Sequence, residues 1–157
     1  SLFTGRGYMW VNTFPLLKNT FICGHGAGTF SFYFPQNDYV GLANTHGSSR
    51  FVIDKPHNMY LQTAVEEGCI ALAAVIILII LASINCIKSV SLINASLLHD
   101  NNYLGEIAAA SIVSIIAFVI YSFFNDSMVT VNPIFWLLLG INISSVYGIN
   151  LQGGTIC

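Results

Sequence analysis

The sequence predicts an all-α polytopic membrane protein, in which a loop region with short interfacial helices leads into three membrane-spanning helices. Three observations carry this. Charged residues make up 8% of the 157, against about a quarter in an ordinary soluble domain, so the chain has too few charges to cover a water-facing surface. Apolar residues make up 55%, and they are gathered into long charge-free runs in the second half. Half of the charged residues and three of the four prolines lie in the first 63 positions. The net charge of −2, with no dense basic patch, gives no reason to expect nucleic acid as a partner.

The clearest span runs from Cys69 to Ile87 and ends at Lys88. At about 1.5 Å per residue it nearly crosses a hydrocarbon core about 30 Å thick. A second span is expected over 107–124, bracketed by Glu106 and Asp126, and a third over 129–147. The third contains Asn132, Pro133 and Asn142, which are tolerated where neighbouring helices satisfy them, so this helix should pack inside a bundle. These spans divide the chain into a loop region, 1–63, and a transmembrane region, 64–157. The chain starts at Ser1 with no signal-peptide pattern, so it is expected to be a piece of a longer protein. Counting Lys and Arg alone would put region 1–63 in the cytoplasm, because Arg6, Lys18, Arg50 and Lys55 lie there; that rule weakens for long loops.

Cys23, Cys69, Cys86 and Cys157 show no CxxC or Cys/His ligand spacing and read as small buried hydrophobes. His25, His46 and His57 are irregularly spaced with no carboxylate cluster, so no metal is expected; His99 beside Asp100 reads as solvated. Glu66 and Glu67 read as solvated helix-end carboxylates, one of which could assist a site.

Within the loop region, Asp54-Lys55-Pro56-His57-Asn58-Met59-Tyr60-Leu61-Gln62 holds most of the information. Asp54 can cap a helix and Pro56 suits a first turn. His57 would then lie in that first turn, at the edge of the membrane. A helix N-terminus disfavours imidazolium, which keeps the ring able to accept a proton, and its free N–H groups can hold an anion. Gly24-His25-Gly26-Ala27-Gly28-Thr29-Phe30 lacks the Lys-Ser/Thr of a P-loop and the GxGxxG spacing, and reads as a tight glycine turn that lets backbone approach another element. Gly5-Arg6-Gly7-Tyr8-Met9-Trp10 offers an Arg for a phosphate, with Tyr8, Trp10 and Phe14 as aromatic-belt residues. Arg50 and Lys55 are further cationic candidates.

Taken together these residues resemble the O-antigen ligase and polymerase superfamily. The resemblance rests on the Gly-Arg followed by Trp10, the turn at 24–30, and His57-Asn58 followed by nine residues and Gly68; Ala71 departs from the last position of the pattern. It implies a bacterial inner-membrane, multi-pass, metal-free and cofactor-free inverting glycosyltransferase with its site on the extracytoplasmic side. Such an enzyme moves a glycan from a polyprenyl-diphosphate carrier to an acceptor hydroxyl of a glycan, glycolipid or protein. It implies His57 as the catalytic residue and Arg6 as a diphosphate ligand, with Asn58, Arg50 and Lys55 as further substrate-binding candidates. The alternative is a noncatalytic polytopic protein, such as a glycolipid transporter or channel component, which would instead place its polar groups deep in broken helices.

Overall fold

A computed structural model describes residues 5–95, 102–128 and 130–154; His99, Asp100 and Cys157 lie outside them. Every regular element among the described residues is helical. The order is α1 (Arg6–Thr13), a 3-10 turn (Phe14–Lys18), α2 (Phe30–Tyr33), α3 (Tyr39–His46), α4 (Met59–Glu66), α5 (Cys69–Ala95), α6 (Asn102–Tyr121) and α7 (Asn132–Gly154). Three of these are long and apolar enough to cross a membrane, over Cys69–Lys88, Tyr103–Tyr121 and Asn132–Leu151.

Two compact units result. One comprises Ser1–Val75 with Tyr121–Ser127, the other Ile76–Ile120 with Met128–Cys157. In the first, the short helices and an extended segment each contribute to one small core of Met9, Phe30, Phe34, Leu42, Ile53 and Val65. Full burial of such a side chain is worth about 1.5–3 kcal/mol relative to exposure. Asp38 caps α3, accepting from the Gly41 N–H at 2.9 Å. The Tyr8 hydroxyl donates to its other oxygen at 2.9 Å, which ties α1 to that cap. Burial, with Asp38 adding to it, raises the Tyr8 phenol above its ordinary value. The Gly41 N–H first, and Tyr8 second, hold the Asp38 carboxyl below its own.

The glycine turn does what its composition suggests. The His25 and Gly26 N–H groups donate to the Val65 and Glu66 carbonyls at 3.0 and 2.8 Å. A Cβ on Gly24 would lie 2.1 Å from the Glu66 carbonyl oxygen. Gly68 ends α4 in the left-handed region, with φ +104°. Its N–H and that of Glu67 both return to the Thr63 carbonyl, as helix C-caps commonly do.

In the second unit, Ala82, Cys86, Ala108, Ile112, Ile115, Phe135, Leu139, Val146 and Ile149 form the buried core of α5, α6 and α7. Asn142 lies wholly inside it, as expected of a polar residue in a packed span. Its Nδ2 donates to the Ala108 carbonyl at 3.1 Å and to Ser111 Oγ at 3.0 Å.

Two of the spans end elsewhere than the charge-free runs suggest. The second ends at Tyr121 rather than 124, because Ser122–Asp126 leaves the helix and joins the first unit. The third is Asn132–Gly154 rather than 129–147, since Met128 starts a turn that receives the Val131 and Asn132 N–H groups. The cysteines also divide: Cys86 is buried, whereas Cys23 is exposed.

Candidate functional site

The helix after Pro56 starts later than Asp54 and Pro56 suggest. Its N-cap is Asn58, in extended backbone, whose Oδ1 accepts the Leu61 N–H at 3.0 Å. Asp54 is exposed and caps nothing. His57 therefore lies outside the helix, one residue before the cap. The anion-holding expectation changes too. Asn58 occupies the Leu61 N–H, and the Met59 N–H donates to the Ser122 carbonyl at 3.0 Å, so neither is open to a ligand.

What faces His57 instead is a carboxylate. Asp126 Oδ2 lies 2.7 Å from His57 Nδ1; the Asp126 side chain is 3% exposed and the His57 side chain 46%. A carboxylate can only accept at Nδ1, so that nitrogen carries a hydrogen, and in the neutral ring Nε2 is the atom with the lone pair. The arrangement buries the orienting acid and leaves the ring open. Asp126 Oδ1 is also buried and has no hydrogen-bond partner among the described residues, an arrangement that costs about 1–3 kcal/mol.

His57 has φ +49°, the one non-glycine residue in the left-handed region among the described residues. Such backbone costs on the order of 1–3 kcal/mol and persists where its surroundings over-determine it. Those surroundings are identifiable. Trp10 Nε1 donates to the Pro56 carbonyl at 2.9 Å. Gln36 grips Ile53 twice, donating to its carbonyl at 2.7 Å and accepting its N–H at 3.1 Å. Asn58 Nδ2 donates to the Phe123 carbonyl at 3.1 Å.

The segment bearing Asp126 is fixed from α4 as well. Gln62 Oε1 accepts the Ser127 N–H at 2.9 Å, and Gln62 Nε2 donates to Glu66 Oε2 at 3.2 Å. Glu66 Oε1 in turn accepts the Phe30 N–H at 3.3 Å. Tyr60 packs on Phe123 with ring centroids 4.7 Å apart, and burial raises its phenol above the ordinary value. Glu66 is thus buried and bonded rather than solvated, while Glu67 is exposed. Tyr8 and Trp10 are half-buried and hydrogen-bonded within the unit, so of the three aromatics expected at the lipid surface only Phe14 is exposed.

Of the residues expected to form the site, the structure brings His57 and Asn58 together with Asp126. Asn58 has both ends of its amide occupied and acts on the backbone around the histidine. Arg6 opens α1 half-buried, Arg50 is exposed and Lys55 is half-buried; their side chains make no hydrogen bond or ion pair among the described residues. His25 stacks on Tyr33 and His46 on Phe51. In the sequence Asp126 reads as the end of a span, and nothing there singles out Gln62. The only signal was a carboxylate just past an apolar run, and nothing in the spacing connects it to His57.

Residues 1–76, which hold α1 to α4, the glycine turn and His57, match the family model described as O-antigen ligase. Over these residues, just under half of its length, the chain is similar to the O-antigen ligase family. No curated protein and no solved structure matches the chain. The likeness to O-antigen ligase points to ligase-like glycosyl transfer in polysaccharide biosynthesis, with a lipid-linked glycan and an acceptor as the general partners. The three spans make this O-antigen ligase relative a multi-pass membrane protein. The matched residues stop short of Asp126, so the carboxylate enters the site on the strength of geometry alone.

Proposed function

We propose that the chain carries the acceptor-activating site of an inverting glycosyltransferase in the bacterial inner membrane. The observation that carries this is the pairing of exposed His57 with buried Asp126. In the reaction, His57 Nε2 removes the proton of an acceptor hydroxyl, and the freed oxygen attacks the anomeric carbon of the glycan from the face opposite the carrier. The bond from that carbon to the polyprenyl diphosphate breaks, and the diphosphate leaves with the electron pair. Asp126 keeps the hydrogen on Nδ1 and stabilises the imidazolium that forms, a role well known for acids behind a catalytic histidine. Arg6 neutralises the departing diphosphate through its planar fork of donors, with Arg50 and Lys55 as further cations. Asn58 holds the backbone of the base in place.

Membrane topology supports the same reading. Crossing by α5 and return by α6 bring residues 122–127 back to the side of residues 5–66, where Asp126 is needed. We assign that side as extracytoplasmic, with residues 90–104 in the cytoplasm. The carrier stays in the bilayer, so a base placed just before the helix that leads into α5 lies within its reach.

The test is transfer by the full-length protein with lipid-linked donor. General-base contributions are typically about 10²–10⁴-fold, so His57→Ala should lower the rate by that much while donor binding changes little. Transfer at the wild-type rate by His57→Ala would falsify the assignment; loss of donor binding would make His57 a phosphate ligand instead.

A further inference from the structure

The turn at residues 20–23 joins the loop region to the membrane crossing in an unusual way. The Cys69 N–H, first of α5, donates to the Thr20 carbonyl at 3.3 Å. A Cβ on Gly68 would lie 2.7 Å from the Ile22 carbonyl oxygen and 3.0 Å from the Gly24 nitrogen. This turn is therefore held in backbone contact with the residues where the span begins. Thr20 itself is buried, whereas Phe21 is 69% exposed, Ile22 68% and Ile70, in the first turn of α5, 59%. Two consecutive large apolar side chains at the tip of a turn gain nothing from water. At the level where a helix enters hydrocarbon they have an apolar medium beside them.

We propose that residues 20–23 form a membrane-inserted wedge, with Phe21 and Ile22 dipping into the bilayer beside the first turn of α5. The occupant of this surface is lipid, because the turn is continuous with the membrane-facing start of Cys69–Lys88. The wedge is also coupled to the site. Immediately after it, His25 and Gly26 bond to the Val65 and Glu66 carbonyls at the end of α4, and His57 stands just before the start of that helix. Anchoring the turn thus sets the height of the histidine over the lipid surface. Insertion itself rests on the membrane crossing; only its effect on catalysis rests on the transferase reading.

Nitroxide labels at Phe21→Cys and Ile22→Cys test it, placed singly in a cysteine-free full-length protein in lipid nanodiscs. Both labels should collide more with oxygen, which partitions into lipid, than with a water-soluble nickel chelate. Preference for the chelate would place the turn in water, and protection from both reagents would mean that protein covers it; either result overturns the proposal. In the transfer assay, the paired variant Phe21→Asp with Ile22→Asp should raise KM for the lipid-borne donor severalfold and leave kcat within about twofold. An unchanged KM would remove the height-setting role. Failure of the wild-type protein to transfer any glycan would count against the transferase reading and leave the labelling result standing.

Discussion

In the first compact unit the long-range side-chain bonds tie loops to helices at many points, while in the second, among the described residues, they meet at Ala108 and Ser111. Trp10 bonds to Pro56 across 46 positions, and Asn58 and Gln62 bond to Phe123 and Ser127 across 65 each. In the second unit Ser83, Ser114 and Ser145 each donate to the carbonyl four residues earlier. Asn142 departs from that habit, together with Cys86, whose Sγ contacts the Ala108 carbonyl at 3.4 Å. The contrast follows from the backbone. A helix satisfies its own N–H and C=O groups and needs no help in lipid. The loops around His57 leave such groups open, so distant amides must close them. Single polar substitutions should therefore break the first unit and be absorbed by the second.

The largest effect after loss of His57 itself is expected at Asp126. Asp126→Asn can donate to Nδ1 and so stabilise the wrong tautomer, with the hydrogen on Nε2. Transfer should fall roughly 10²-fold or more, approaching the deficit expected of a lost general base. Ring nitrogen shifts of isotopically labelled His57 would report the tautomer directly, and an unchanged rate would break the pairing. Gly24→Ala comes next. Its methyl would meet the Glu66 backbone at 2.1 Å, and overpacking of this kind costs about 1–3 kcal/mol. A thermal shift of the purified protein should register it, with transfer falling in parallel as α4 moves.

Asn58→Ala removes an N-cap, worth about 1 kcal/mol, and leaves the Phe123 carbonyl without its donor, a further penalty of about 1 kcal/mol or more. Asn58→Asp keeps the cap and loses only the donor, so the difference in melting temperature between the two variants separates the two jobs. The smallest effect is expected in the second unit. Hydrogen bonds between membrane helices average about 0.6 kcal/mol, so Asn142→Leu should shift stability by less than about 1 kcal/mol. A loss as large as that of Asn58→Ala would show that the second unit, too, depends on long-range polar contacts.

The same contrast explains what the sequence disclosed. Spans are written in composition, and all three helices lie where charge-free runs occur. Their ends were less legible, because hydropathy marks apolar side chains and not helical hydrogen bonds. Phe123 and Phe124 extended the second run on paper, yet they pack on Tyr60 and Trp10 in the first unit. His57 was legible through the pattern His-Asn-x9-Gly, and the glycine turn through its spacing. Asp126 was not, because its link to His57 is made in space by Asn58, Met59 and Gln62. Glu66 is opaque in the sequence for a related reason: a carboxylate at a helix end reads as solvated until its partners, Phe30 and Gln62, are known.

The return of residues 122–127 to His57 has a consequence for biosynthesis. A nascent chain that has inserted only α5 already carries the histidine but not the acid that pairs with it. Asp126 arrives only after α6 has crossed back. A chain in which α6 failed to insert would strand that carboxylate across the bilayer from its partner. On the proposed assignment of His57 as the base, the order of membrane insertion would then act as a safeguard, because histidine and acid meet only in molecules whose topology is correct.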